Sequence, residues 1–139
     1  MQNKEILRKL QEYNKILDEL QAAGVLNSAN LVSSYGEYVA CKRLHLTRNS
    51  NSNQKGYDAL DKKDKKYQIK ARKDSRRSKG MVFLIKREKI KDFNYLILVK
   101  FDFYWDIKYM LKLSQKDAKR EWSNGRINET IDLVKKFKI

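Results

Sequence analysis

The sequence predicts a mixed α/β fold, with helices laid against a mostly antiparallel sheet. Three observations predict it. Two stretches ahead of His45 space their apolar residues at the helical period. Two later runs, Tyr95 to Val99 and Asp106 to Leu113, have strand character, the first continuously apolar and the second alternating. Between these halves lies Gly56 to Arg72, GYDALDKKDKKYQIKAR, which reads as two short strands joined by a tight, charged turn.

Taken in order, Asn3 to Ala23 is the first expected helix. Ile6, Leu10, Tyr13, Leu17 and Leu20 form one apolar stripe, and Gly24 is the natural stop. The stripe suits packing on its own domain better than a dimer seam. Ser28 is placed to cap a second helix running to about Leu44. Leu31, Val32, Tyr35 and Val39 make its apolar face. The opposite face carries short side chains, Asn30, Ser33, Ser34, Ala40 and Cys41, around Glu37. Short side chains permit close approach, so Glu37 can reach an adjoining strand or can face solvent. Leu46 to Lys55 is a polar loop with a short strand at its start, and Asp74 to Gly80 is a mobile basic loop. Met81 to Lys86 is a short strand and Lys86 to Phe93 a short helix. Tyr95 to Val99 fits a central strand covered on both faces, and Asp106 to Leu113 a half-buried one. Ser114, with Asp117 three residues on, opens a last helix that Asn124-Gly125 ends. Ile127 to Ile139 is ambiguous between helix and edge element.

The chain of 139 residues fits a single domain. Residues 1–24 form its N-terminal helix, 28–113 its core, and 114–139 a C-terminal helix and tail. No apolar run approaches the ~20 residues that span a bilayer, and the N-terminus has no signal-peptide core. One cysteine and one histidine exclude a Cys/His zinc site. The cytoplasm is the expected compartment. The net charge is +15, and Lys62 to Lys91 holds fourteen Lys or Arg against three acids. Clustered positive charge of this kind attracts phosphate backbones. Cys41 reads as a small buried residue, His45 as structural or exposed, and Trp105 and Trp122 as packing residues.

The chemistry concentrates in the hairpin. Asp58 lies on its first strand, and Gln68 and Lys70, two residues apart, share one face of the second. Asp58 must sit opposite an even-numbered residue to face the same way. A regular four-residue loop would pair it with Ile69 and turn it away, so the hairpin needs an odd-length loop, such as residues 63–65, or a bulge. With that register, Mg2+, or Mn2+ in its place, has oxygen ligands in Asp58, the Gln68 amide and the Ile69 carbonyl, with Glu37 binding directly or through water. Lys70 can then orient an attacking water or stabilise developing phosphorane charge. Arg72, Lys73, Arg76, Arg77 and Lys79 are the expected nucleic-acid contacts.

Glu37 on a helix, Asp58 on one strand and Gln68-Ile69-Lys70 on the next together resemble the PD-(D/E)XK nuclease superfamily, which includes restriction endonucleases, Holliday junction resolvases and some homing endonucleases. The element order matches over roughly Ala29 to Leu113. The resemblance implies a restriction-endonuclease-like core and a Mg2+-dependent DNA endonuclease. It places Asp58 and Gln68 at the metal, Lys70 at the nucleophile, and suggests a homodimer, since cutting two strands needs two sites. Two positions depart from the family pattern. Tyr57 stands where the family often has proline, and Gln68 stands where it usually has Asp or Glu. Active members with a Q-x-K motif exist. The alternative reading is a non-catalytic nucleic-acid-binding module with a degenerate site on the same fold. A third is a basic RNA-associated protein in which the pattern is accidental.

Overall fold

The strand Tyr95–Phe101 (β5) is the buried axis of the molecule: six of its seven residues are buried. In the computed structural model, which describes residues 2–49, 56–76 and 82–139, β5 lies between β3 (Lys66–Lys73), which runs parallel to it, and β6 (Ile107–Ser114), which runs antiparallel. The short strands β1 (Thr47–Arg48) and β2 (Ala59–Leu60) extend the sheet past β3, giving the order β1-β2-β3-β5-β6. Every pairing except β3–β5 is antiparallel. A second antiparallel sheet joins β4 (Val82–Leu84), β8 (Arg126–Asn128) and β7 (Trp122–Ser123), in that order. The protein is thus α/β, a mixed and mostly antiparallel sheet flanked by helices.

Alternation along β5 divides the interior in two, as strand geometry requires. Leu96 and Leu98 enter a core with Phe83, Ile90, Phe93, Leu111 and Leu113. Ile97, Val99 and Phe101 enter another with Ala40, Cys41, Tyr67, Ile69 and Met110. The second core lies under helix α2 (Leu31–Leu44). Its short face is the buried one: Ser34, Gly36, Ala40 and Cys41 turn inward, while Leu31, Val32, Tyr35 and Val39 are only half-buried. The reason is distance. A Cβ on Gly36 would collide with the Ala71 methyl on β3, so only a glycine lets the helix lie this low.

Several expectations are corrected. Helix α1 (Asn3–Ala22) forms, but none of its residues is fully buried; of the stripe expected to pack on its own domain, Leu17 and Leu20 are half-buried while Ile6, Leu10 and Tyr13 are exposed. The α2 cap is Asn30, whose side chain accepts from Ser33 N at 3.0 Å; Ser28 instead accepts from Asn30 N. The short helix expected at Lys86 to Phe93 is present, as a 3-10 helix over Arg87–Asp92. Strand β6 is covered on both faces at its centre, because Met110 enters the core under α2 while Tyr109 and Leu111 enter the other. Asn124-Gly125 does not end helix α3 (Gln115–Glu121). With φ of 50° and 82° it forms the turn of the β7–β8 hairpin, the conformation that Asn-Gly favours. The final segment resolves into β8 and helix α4 (Ile131–Phe137). Asp74 lies beyond the end of β3, in a loop outside any strand, as expected, but it is buried with Lys100, its oxygens 3.3 Å from Lys100 Nζ and 3.0 Å from Lys108 Nζ. Burial raises its carboxyl, but the lysine hydrogen bonds outweigh burial and hold it below the ordinary carboxylate range. The rest of that loop, like most of Leu46 to Lys55, lies largely outside the described residues. Among the described residues no helix is long and apolar enough to cross a membrane.

Candidate functional site

The hairpin register decides where Asp58 stands. Ala59 pairs with Tyr67 and Leu60 with Lys66. Asp61 N donates to Lys65 O at 3.1 Å, which leaves residues 62–64 as a three-residue turn. Asp64 takes the left-handed conformation at its end, with φ of 59°, as such turns require. The Asp61 carboxylate fastens the turn by accepting from Lys63 N and Lys65 N at 2.8 and 3.0 Å. An odd-length turn is therefore present, displaced by one residue from the 63–65 loop. In the same register Ala59 is the last residue paired with β3, so Asp58 does not stand opposite Lys70. Formally β2 begins at Ala59, so Asp58 precedes the strand instead of lying on it. Its N–H still donates to Tyr67 O at 2.8 Å.

Beyond Asp58, β2 gives β3 no further partner, and the carboxylate takes over that edge. Asp58 Oδ2 accepts from Ile69 N at 2.7 Å. The N–H and C=O of a strand residue project to the same side, so the Ile69 carbonyl faces this edge as well. Tyr67 and Ile69 point into the core under α2, which sends Gln68 and Lys70 to the opposite face. At the open edge the two faces meet. Glu37, Asp58, Gln68, Ile69 and Lys70 all line one cavity of about 650 Å3, together with Lys86 and Lys89.

Glu37 arrives there in a fixed posture. Its Oε2 accepts from Asn27 Nδ2 at 2.8 Å and from Arg48 Nε at 3.1 Å. The same guanidinium donates to the carbonyls of Val25 at 3.0 Å and Ser34 at 2.9 Å. Arg48 therefore ties β1, α2 and the α1–α2 link to Glu37, and both members of the ion pair are largely buried. Nothing in the sequence singles Arg48 out: it is one basic residue beside an Asn/Ser-rich segment, and its role exists only once three elements surround it.

Burial pushes the Asp58 carboxyl up from its ordinary 3.8 to about 6, and the neighbouring Glu37 charge adds to the rise. The Ile69 N–H, Lys70 and Arg48 act in the other direction without cancelling it. A carboxyl in this state sits where added positive charge lowers its cost of ionising. Cys41 is buried beside these groups, and burial lifts its thiol to about 11. That is far from the reactive range, so its reading as a packing residue stands. His45 is exposed at the α2 C-terminus, and Trp122 donates from Nε1 to Ile85 O at 2.8 Å.

The donor set is made of oxygens: the Asp58 carboxylate and the Gln68 and Ile69 carbonyls, with Glu37 beside them. Hard oxygen donors suit Mg2+. The set is lean in charge, since Gln68 is neutral and Arg48 already pairs with Glu37. Among the described residues no three His, Cys, Asp or Glu side chains gather as a metal-holding group.

Of the expected nucleic-acid contacts, Arg72 and Lys73 lie on β3, three residues or fewer beyond Lys70, and border a groove against Asn30 and Ser33 of the α2 start. Arg76 follows. Arg77 and Lys79 lie outside the described residues. An aromatic turn between β5 and β6 seats two of these cations. Lys73 Nζ is 4.7 Å from the Phe103 ring centre and 5.0 Å from that of Trp105, and the Arg76 guanidinium is 4.8 Å from Phe103. Tyr104 at the tip of that turn is 77% exposed. The sequence signal for this arrangement was the cluster Phe103-Tyr104-Trp105 itself; what it lacked was the proximity of β3.

No known protein-family model matches this chain, and no curated protein matches it either.

Proposed function

We propose that this protein is a Mg2+-dependent DNA endonuclease with a PD-(D/E)XK-type site on a restriction-endonuclease-like core. The observation that carries the reading is the convergence of Glu37, Asp58, Gln68, Ile69 and Lys70 on one cavity at the open edge of β3, inside the most basic part of a +15 chain. The parallel β3–β5 pair behind it, reached through the intervening β4 and 3-10 segment, provides a rigid support.

In this reading Asp58, Gln68 and the Ile69 carbonyl would hold Mg2+, or Mn2+, with Glu37 beside them in support. When bound, the ion would supply Lewis-acid charge at the phosphate and a more acidic water. Lys70, projecting from the same face as Gln68, orients the attacking water and stabilises the negative charge that develops on the phosphoryl oxygens. Lys86 and Lys89 neutralise the phosphate that enters the cavity, while Lys73 and Arg76 hold the flanking backbone.

Incubation of the purified chain with supercoiled, linear and branched DNA, with and without Mg2+ or Mn2+, tests the proposal. Metal-dependent cleavage is expected, and Asp58→Ala and Lys70→Ala each abolish it while DNA binding persists. Cleavage at the unaltered rate in either variant refutes the assignment. The second reading, a binding module with a degenerate site, is favoured by one observation: the Glu37 carboxylate is already paired with Arg48. Salt-sensitive binding with no cleavage under any metal would select it.

A further inference from the structure

We propose that the turn between β5 and β6 is a stacking platform for unpaired bases, so that the DNA entering the cavity carries a single-stranded stretch beside it. The inference rests on nucleic acid occupying the cavity, but not on its cleavage there. The turn is closed by one carboxylate. Asp102 N–H donates to Asp106 O at 2.8 Å and Trp105 N–H to Asp102 O at 3.2 Å, which leaves residues 103–105 as a three-residue loop. Asp102 Oδ1 accepts from Tyr104 N at 2.8 Å and Asp106 N at 3.0 Å. Trp105 has a left-handed φ of 73°, where such loops favour glycine; an L side chain there costs about 1–2 kcal/mol. Packing holds it in place, with its ring 5.8 Å from Phe101 and 5.7 Å from Tyr35 of α2. Phe103 is covered by Lys73 and Arg76. Phe103 and Trp105 are therefore half-buried, while Tyr104 turns outward and is 77% exposed. Among the described residues its one ring neighbour is Phe103, 5.0 Å away and nearly perpendicular. A tyrosine gives up little conformational freedom on binding, and a backbone already fixed gives up less still.

The surroundings of the ring select its occupant. β3 ends beside the turn, since Lys73 pairs with Phe101. Lys70 lies three residues back along β3, about 10 Å away. Between them Arg72 and Lys73 border a groove of about 260 Å3 with Asn30, Ser33 and Ala71. Ser33 also lines the cavity of Glu37, Asp58 and Lys70, so groove and cavity adjoin. A phosphate backbone that leaves Lys70 and passes Arg72 and Lys73 arrives at Tyr104. Basic side chains that track a backbone, with an aromatic face beside them, are the components of single-strand binding. In a duplex the faces of each base are covered by its neighbours in the stack. Tyr104 can therefore stack only where a base is unpaired.

Fluorescence anisotropy of the full chain with a labelled oligothymidine, without metal so that nothing is cut, tests the proposal. Competition by a long duplex fragment, whose ends are few, gives the duplex affinity in the same experiment. Tyr104→Ala should weaken binding to the single strand about tenfold, within what one base–aromatic stack contributes. Duplex affinity and the thermal transition should not change, because the ring is exposed. The salt dependence should not change either, because no charge is removed. Tyr104→Phe should keep the parent affinity and Tyr104→Leu should not, since the stack needs a ring. Single-strand affinity unchanged in Tyr104→Ala overturns the proposal, as does an equal loss on both DNAs; metal-dependent cleavage alongside either result leaves the nuclease reading standing. Tyr104-dependent binding of the single strand with no cleavage under any metal supports the platform and removes the nuclease reading. A chain that binds neither DNA overturns both.

Discussion

Asp58→Asn isolates what the cavity costs the fold. The folded chain holds the Asp58 proton up to about pH 6, whereas the ordinary value is 3.8. Between these limits the folded state binds more protons than the unfolded one, so this residue lowers stability as pH rises through that window. Above pH 6 the penalty is complete. It corresponds to about 3 kcal/mol, because removing water from the carboxylate outweighs what Lys70 and Arg48 return. Asparagine has the same shape, carries no charge and keeps an oxygen for Ile69 N–H. Losing the charged acceptor weakens that hydrogen bond by about 1 kcal/mol. The variant should therefore be more stable than the parent by about 1–2 kcal/mol at pH 7. It should lose that advantage near pH 4, where the parent carboxyl is also neutral when folded. Urea denaturation at intervals from pH 4 to pH 8 reads the difference directly. A variant equally stable to the parent at every pH, or less stable by the same amount throughout, would show that Asp58 is not desolvated and would refute the account of the site.

Three further outcomes follow from particular contacts. Gly36→Ala should destabilise the protein by about 1–3 kcal/mol in thermal or urea unfolding, because its methyl meets that of Ala71 and α2 must lift from β3; the lift should also impair any cleavage by displacing Glu37. Gln68→Glu should tighten Mg2+ binding in calorimetric titration by replacing a neutral oxygen with a carboxylate, and weaker binding would remove Gln68 from the ligand set. Nucleic-acid affinity measured by fluorescence anisotropy should fall steeply with added salt, and Lys73→Ala with Arg76→Ala should make that slope shallower; affinity indifferent to salt would rule out an electrostatic interface.

The residues of the cavity were legible in the sequence because they depend on local rules. Alternation along a strand places Gln68 and Lys70 on one face whatever surrounds them. The parity of side-chain direction across a hairpin demanded an odd turn, and the short residues on α2 signalled close approach. Serine at position 114 announced α3 by the same local logic, and its hydroxyl accepts from Asp117 N at 3.1 Å. Other features had no local signature. The three-residue turn falls at 62–64 rather than 63–65 because the Asp61 carboxylate closes it there, a competition among near-equal lysine-rich registers. Amphipathic spacing in α1 is the same whether or not a helix packs on its own body, so only the finished packing shows that the body half-covers Leu17 and Leu20 and leaves Ile6, Leu10 and Tyr13 exposed. Asn-Gly ends a helix or turns a hairpin with equal ease, and the partner strand β4, far away in sequence, decided for the hairpin. The pairing of Arg48 with Glu37, the burial of Lys100 with Asp74 and the raised Asp58 carboxyl likewise arise from groups distant in sequence. Desolvation and charge pairing depend on distance through space, and only the tertiary structure sets those distances.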